Sequence, residues 1–334
     1  MGEAARGTIA TMNPLDFLAD LETKPRWLNL LADRFAVGNP FADVPRDVDR
    51  VLLFGMGSSR FAASVAARDL RVSGIAAAAE PASVDASWPP DPRTLVIAIS
   101  ATGESAETLD AVERYRGRSP VVAIVNDPAS TLATRADVVV EMGAGDEAGG
   151  VACRTFQHTG LLLRALESHL TALDEDLAAL VRQVAHASAD LLRTSQRWLP
   201  TVVTALASPN GVYLLAPAER LSSAEQGALM IREGPRRPSV ACETGDWSHV
   251  DVYLTRTLDY RAILFAGSRW DGQALDWLAQ RRATIVAVGA DVPNARLVIR
   301  YPGDEDPDVA RHTEVLVPEL LAATWWRAQG AAQG

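Results

Sequence analysis

The chain has 334 residues, 48% of them hydrophobic and 22% charged, with a formal net charge of −10. That length accommodates two domains of ordinary size, and an acidic balance with no basic block argues against a nucleic-acid or anionic-membrane partner. No apolar run is long and uniform enough to cross a membrane, and the start, Met1-Gly2-Glu3-Ala4-Ala5-Arg6, lacks the basic-then-apolar pattern of a secretory signal. Cys153 and Cys242, the only cysteines, have neither metal nor redox spacing. The chain therefore reads as a cytoplasmic protein with reduced thiols, no metal site and no cofactor.

In chain order, residues 17–25 are predicted to form a helix. Val51, Leu52, Leu53 and Phe54 then make a buried strand that ends in the turn Gly55-Met56-Gly57-Ser58-Ser59-Arg60, followed by a small-residue helix at 61–67. The turn is not a dinucleotide fingerprint, because Arg60 stands where the third glycine belongs. The chain also has no Gly-Lys-Ser/Thr of a P-loop. A second apolar strand, 96–99, runs into Ser100-Ala101-Thr102-Gly103-Glu104-Ser105 and a helix expected to begin near Gly103, with Leu109, Val112 and Tyr115 on its apolar face. Free N–H groups at a helix start, together with hydroxyl donors, suit an anion such as phosphate. The same serines are equally suited to capping the helix, and this segment by itself does not separate the two roles.

The second half repeats the alternation. A polar helix at 174–192 leads to a strand at 211–215, the turn Ala216-Pro217-Ala218-Glu219-Arg220 and a helix at 221–233. Further strands are read at 262–268, 284–288 and 297–300, with helices at 272–281 and 317–329. The predicted fold class is α/β: two tandem lobes, each a doubly wound parallel sheet flanked by helices, related by duplication. The second turn has alanines in place of glycines and no hydroxyl cluster, so its chemistry is expected to differ from that of the first.

These motifs resemble the sugar isomerase (SIS) family, the fold of the isomerase half of glucosamine-6-phosphate synthase. Its pattern Gly-x-Gly-Thr-Ser reads here Gly55-Met56-Gly57-Ser58-Ser59, and Ser-x-Ser-Gly-Glu-Thr-x-Asp-Thr reads Ser100 to Thr108. Gly150-Val151-Ala152-Cys153-Arg154 resembles a third family segment, and 17–25 the family's opening stretch. The resemblance implies that Ser58, Ser59, Ser100, Thr102, Gly103, Ser105 and Thr108 hold the phosphate of a phosphosugar, with Arg60, Ala101, Val151 and Cys153 near the sugar. The helix Gln226-Gly227-Ala228-Leu229-Met230-Ile231-Arg232-Glu233 resembles the family's catalytic helix, and Gly245-Asp246-Trp247-Ser248-His249 its histidine segment. Glu233 is thereby implied as the base that moves a proton between C1 and C2, and His249 as the ring-opening group, reaching into a neighbouring subunit. Taken alone, a glutamate at a helix end is ordinarily a solvated residue and a histidine after a tryptophan ordinarily structural, so both roles rest on the resemblance.

One chemical consequence follows from the basic residues. Of 32 lysines and arginines, Lys24 is the only lysine. No lysine follows Trp325-Trp326-Arg327, where the synthases carry theirs, and arginine stays protonated, so a Schiff-base route is not expected. A glutamine-hydrolysing domain is not expected either. The chain is read as an N-terminal helical segment (1–35), a phosphosugar-binding lobe (36–172), a linker helix (173–200) and a second lobe carrying Glu233 and His249 (201–334). The expected function is aldose–ketose isomerisation or amino-sugar-phosphate deamination of a hexose 6-phosphate by a homodimer. The alternative is a non-catalytic phosphosugar sensor.

Overall fold

The computed structural model describes residues 12–173 and 175–333; the start of the predicted N-terminal segment and Asp174 of the predicted linker lie outside them. Two helices open the described chain, α1 (Pro14–Glu22) and α2 (Lys24–Val37), where the sequence suggested one. Thr23 ends α1, and Pro25 sits in the first turn of α2, where its missing N–H removes no helical hydrogen bond.

The first lobe alternates β1 (Arg50–Gly55), α3 (Ser58–Val72), β2 (Ala76–Pro81), β3 (Thr94–Ile99), α4 (Ala106–Glu113), β4 (Val121–Val125), α5 (Thr131–Arg135), β5 (Val138–Glu141) and α6 (Arg154–Thr171). α7 (Leu177–Ala205) crosses to the second lobe. There β6 (Val212–Ala216), α8 (Leu221–Glu233), β7 (Ser239–Glu243), α9 (Thr244–Trp247), β8 (Arg261–Phe265), α10 (Asp271–Gln280), β9 (Thr284–Val288) and β10 (Leu297–Ile299) follow. α11 (Pro307–Thr313) and α12 (Leu316–Gln333) close the chain.

Each lobe holds one five-stranded, wholly parallel sheet, ordered β2-β1-β3-β4-β5 in the first and β7-β6-β8-β9-β10 in the second. Matching strands occupy matching places, which is the duplication read from the sequence. β1 and β3 pair in register, with Leu52 opposite Val96 and Leu53 opposite Ile97. Both strands are almost wholly buried because helices cover both faces, so they read as continuous apolar runs.

The two inner sheet faces share one core. Leu53 and Ile97 from the first sheet and Leu214 and Ala216 from the second pack with α2, α3, α6, α7, α8 and α12 in a central helical layer. The outer faces have separate cores, under α4 for the first sheet and around Trp247, Tyr260 and α10 for the second. α7 is thus more than a tether: Val181, Val184, Ala187 and Leu191 are completely or almost completely buried in the central layer.

In both sheets the chain turns one way after the first strand and the other way after the third. A crevice therefore opens between the C-terminal ends of β1 and β3, and a second between those of β6 and β8. Such switch points are where open α/β sheets bind ligands.

Candidate functional site

The first crevice is lined by the two turns singled out from the sequence. Gly57 precedes α3 with φ +49°, a conformation that favours glycine, and no side chain caps the helix. The hydroxyls of Ser58 and Ser59, both half-buried, make no hydrogen bond among the described residues. The first turn of α3 thus presents N–H and O–H donors to the crevice.

The second turn is built around its own hydrogen bonds. Ser100 Oγ accepts from the Gly103 N–H at 3.1 Å, and Thr102 Oγ1 from the Glu104 N–H at 3.3 Å. α4 begins at Ala106 rather than near Gly103, because Ser105 is its N-cap and accepts from the Thr108 N–H at 3.4 Å. Gly103 (φ +66°) packs against Ser130 so closely that a Cβ there would lie 2.1 Å from Ser130 Oγ. Glu104 turns away from the crevice and accepts from the N–H and hydroxyl of Thr131 at 2.7 and 2.8 Å. The backbone N–H bond is the larger cause holding its carboxyl below the usual range. Ser105 Oγ donates to Glu107 Oε2 at 2.8 Å, and the Gly103 and Glu104 N–H groups are bonded within the turn, so the donors it keeps for the crevice are the Ser100 and Thr102 hydroxyls.

Several sequence-implied contacts fall elsewhere. Thr108 is buried, and its hydroxyl donates to Ser105 Oγ at 3.2 Å, so it supports the cap from behind. Val151 and Cys153 are buried, and burial is the main cause that pushes the Cys153 thiol well above its ordinary pKa. Neither side chain is open to a sugar. The third segment also offers no free anion site. Glu147, missed from the sequence, sets its Oε1 against the N–H groups of Cys153 (2.7 Å), Arg154 (2.6 Å) and Thr155 (3.1 Å) and fills the N-terminus of α6. Ala101 is half-buried at the crevice, and its carbonyl accepts from the Asn126 N–H at 2.9 Å.

α8 of the second lobe lies across the first crevice. Gln226 Nε2 donates to the Ala152 carbonyl at 2.7 Å and ties α8 to the third segment. α3 and α8 run antiparallel. Arg68 meets Glu219, just before α8, at 4.0 Å; Arg60 meets Glu225 at 3.8 Å; and a Cβ at Gly57 would lie 3.9 Å from Leu229 Cδ2. Glu233 is one helical turn further on, about 6 Å along the axis, beyond the end of α3 and on the side where the turns open. Its side chain reaches solvent, yet the protein packed around it desolvates the carboxyl enough to raise its pKa, with Arg232 opposing.

His249 is not brought to Glu233. It is exposed and follows α9, whose Trp247 belongs to the outer core of the second sheet, whereas α8 packs on the inner face. One subunit leaves the two residues on opposite faces of a sheet.

The second crevice is filled from within. Asp271 Oδ2 accepts from the Gly267 and Ser268 N–H groups at 2.6 and 3.1 Å, in the place a bound anion would take. Burial is the largest influence on this carboxyl and raises its pKa, while those amides and Arg220 oppose it. Arg220, buried, donates to Glu314 and to the Ala266 carbonyl and closes the other side. Among the described residues no cluster of His, Cys, Asp or Glu is arranged to hold a metal ion. Likewise, no described helix is long and apolar enough to cross a membrane.

The strand order and the donor-lined first crevice define an α/β protein with two SIS-like lobes. Residues 46–168 match the SIS domain family. The chain is 34% identical over 236 residues to the glutamine–fructose-6-phosphate aminotransferase (isomerizing) of Pyrobaculum aerophilum, an alignment covering 69% of this chain and 39% of that protein. It spans about two fifths of the length of the curated relatives it matches. Its fold is that of tagatose-6-phosphate ketose/aldose isomerase from Escherichia coli (TM-score 0.75, 18% identity, 98% of this chain and 95% of the other). It is also that of glucosamine-6-phosphate deaminase from Thermotoga maritima (TM-score 0.73, 18% identity, 94% and 95%).

Proposed function

We propose that this chain binds a hexose 6-phosphate in the first crevice and moves a proton between its C1 and C2, as an aldose–ketose isomerase or an amino-sugar-phosphate deaminase. The observation that carries the reading is the antiparallel packing of α3 and α8, which sets Glu233 one turn past the residue facing Gly57. A phosphate held by Ser58, Ser59, Ser100 and Thr102 leaves the sugar chain extending toward that carboxylate. In the open-chain substrate Glu233 takes the proton from the carbon next to the carbonyl while water gives a proton to the carbonyl oxygen, so that an enediol or enolamine forms. The same carboxyl returns its proton to the neighbouring carbon as the enediol releases a hydroxyl proton to water, or as the enolamine becomes an iminium that water hydrolyses with loss of ammonia. A raised carboxyl pKa suits a group that must both accept and donate near neutral pH. Lys24, the only lysine in the sequence, is fully buried against Glu319 and cannot reach a sugar, which supports a proton transfer without a Schiff base.

His249 would serve the site of a partner subunit in a homodimer, because its own subunit places it on the far face of the second sheet. The same separation favours the second reading, a phosphosugar sensor, if the chain acts as a monomer. Proton NMR in D₂O with fructose 6-phosphate, and separately with glucosamine 6-phosphate, tests the enzyme. Deuterium entering C1 or C2, and lost in Glu233→Gln, is expected; the product formed separates isomerase from deaminase. Thermal protection by these ligands without any exchange would instead establish the sensor. Mixed dimers of Glu233→Gln and His249→Ala chains should recover part of the activity absent from either variant alone.

A further inference from the structure

Arg60 and Glu225 form an unsaturated pair at the edge of the phosphate crevice. Arg60 directly follows Ser59, but its guanidinium is turned toward α8, lying over the Phe61 ring at 4.9 Å and 3.8 Å from Glu225 Oε1. That separation is too long for a hydrogen bond, and the guanidinium makes none to any protein acceptor among the described residues. Five N–H donors therefore stand unused beside a turn that has hydroxyl donors and no cation of its own. Glu225 is likewise without a hydrogen-bond donor, and its side chain is only 22% exposed. A half-buried carboxylate so near an anion site works against the anion unless it has another task.

We propose that Glu225 is a positioning residue for the phosphate site. It holds Arg60 toward α8 when the crevice is empty, gives the guanidinium up when a phosphate arrives, and so lowers the affinity of the turn for phosphate. The inference rests on the reading of the first crevice as a phosphate site. Swinging Arg60 from Glu225 to the ligand exchanges a long, solvent-edged pair for charge-assisted hydrogen bonds. Glu225 is left with its own charge uncompensated, and that opposing cost is what weakens binding.

Calorimetric titration of the full chain with inorganic phosphate and with fructose 6-phosphate tests this, with thermal unfolding run alongside each variant. Glu225→Gln, close in shape, is expected to tighten both ligands about tenfold, and Arg60→Ala to weaken them by about the same factor. In the Arg60→Ala background Glu225→Gln is expected to lose most of its effect, leaving only the direct repulsion between carboxylate and anion, because Glu225 acts mainly through Arg60; Glu225→Asp should bind like the unsubstituted chain. If Glu225→Gln misfolds, Glu225→Ala carries the same expectation. Unchanged affinity in a folded Glu225 variant overturns the inference, as does equal tightening with and without Arg60, which would mean simple repulsion. If neither ligand binds the unsubstituted chain or Glu225→Gln, the phosphate reading itself falls, and the inference with it.

Discussion

Replacing Gly103 by alanine should break the turn proposed to hold phosphate, and the structure allows the cost to be divided. The residue has φ +66°, where an L side chain costs about 1–2 kcal/mol. The new Cβ would also lie 2.1 Å from Ser130 Oγ and 2.4 Å from Ser130 Cβ. Rotating the Ser130 hydroxyl relieves only the first contact, because its Cβ is fixed to the backbone. The 127–131 segment must therefore shift, and with it Thr131, which Glu104 grips through two hydrogen bonds. Overpacking of this kind costs about 1–3 kcal/mol, so the total should be about 2–5 kcal/mol. Urea denaturation should show that loss as a lower midpoint, and phosphate titration a weaker affinity, since the Ser100 and Thr102 donors ride on the same turn. Ser130→Gly deletes both clashing atoms. Combined with Gly103→Ala it should recover the overpacking share and leave only the backbone strain, giving a coupling of about 1–3 kcal/mol in the double-mutant cycle. A Gly103→Ala protein as stable and as phosphate-competent as the original would refute the reasoning, as would a cycle with no coupling.

Three other variants test the buried charges. Lys24→Met leaves Glu319 in the core without its counter-charge, the pair lying at 2.5 Å with both side chains fully buried, and should cost about 3–5 kcal/mol; Glu319→Gln in the same chain should restore much of it. Burial is the largest cause that pushes the Glu319 and Glu314 carboxyls up to about 7, against the pull of Lys24 and Arg220 respectively. The native chain then keeps protons that the unfolded chain releases near 4.5, so these groups make stability fall as pH rises from about 4.5 to about 7, by at most on the order of 3 kcal/mol each. Calorimetric stability measured across that range should decline less in Glu319→Gln than in the unsubstituted chain; an equal decline would show that Glu319 is ionised throughout. Asp271→Ala strips the acceptor from the Gly267 and Ser268 N–H groups at the start of α10 and should cost about 2 kcal/mol in urea denaturation, while leaving phosphate binding in the first crevice unchanged.

The strands β1, β3, β6, β8 and β9 were legible because a strand buried on both faces is largely apolar, and such runs were read at 51–54, 96–99, 211–215, 262–268 and 284–288, the fourth running three residues past the end of β8 at Phe265. β2 was not legible. Its sequence, Ala76-Ala77-Ala78-Ala79-Glu80-Pro81, has little strand character, and pairing with β1 at the sheet edge makes it one. The two donor turns were legible as well, since glycines and hydroxyls at the ends of strands are local signals that depend on a few adjacent residues.

What the sequence by itself determined was the chemistry available at each turn and the order of the elements. Only the tertiary structure decided how those groups are used. Glu104, Glu147 and Asp271 are all acidic residues near a helix start, yet one grips the first residue of α5, one fills the third segment, and one occupies the second crevice. Thr108 and Cys153 fit a binding motif by position but are covered by packing. Glu233 gains its place from the antiparallel run of α3 and α8, whose facing residues lie more than 150 positions apart in the chain, and His249 is carried to the far side of the second sheet. A carboxylate, a thiol or an imidazole has the same chemistry wherever it stands; its access to water, its partners and its distance from other groups are set by contacts between segments remote in sequence, which no local pattern encodes.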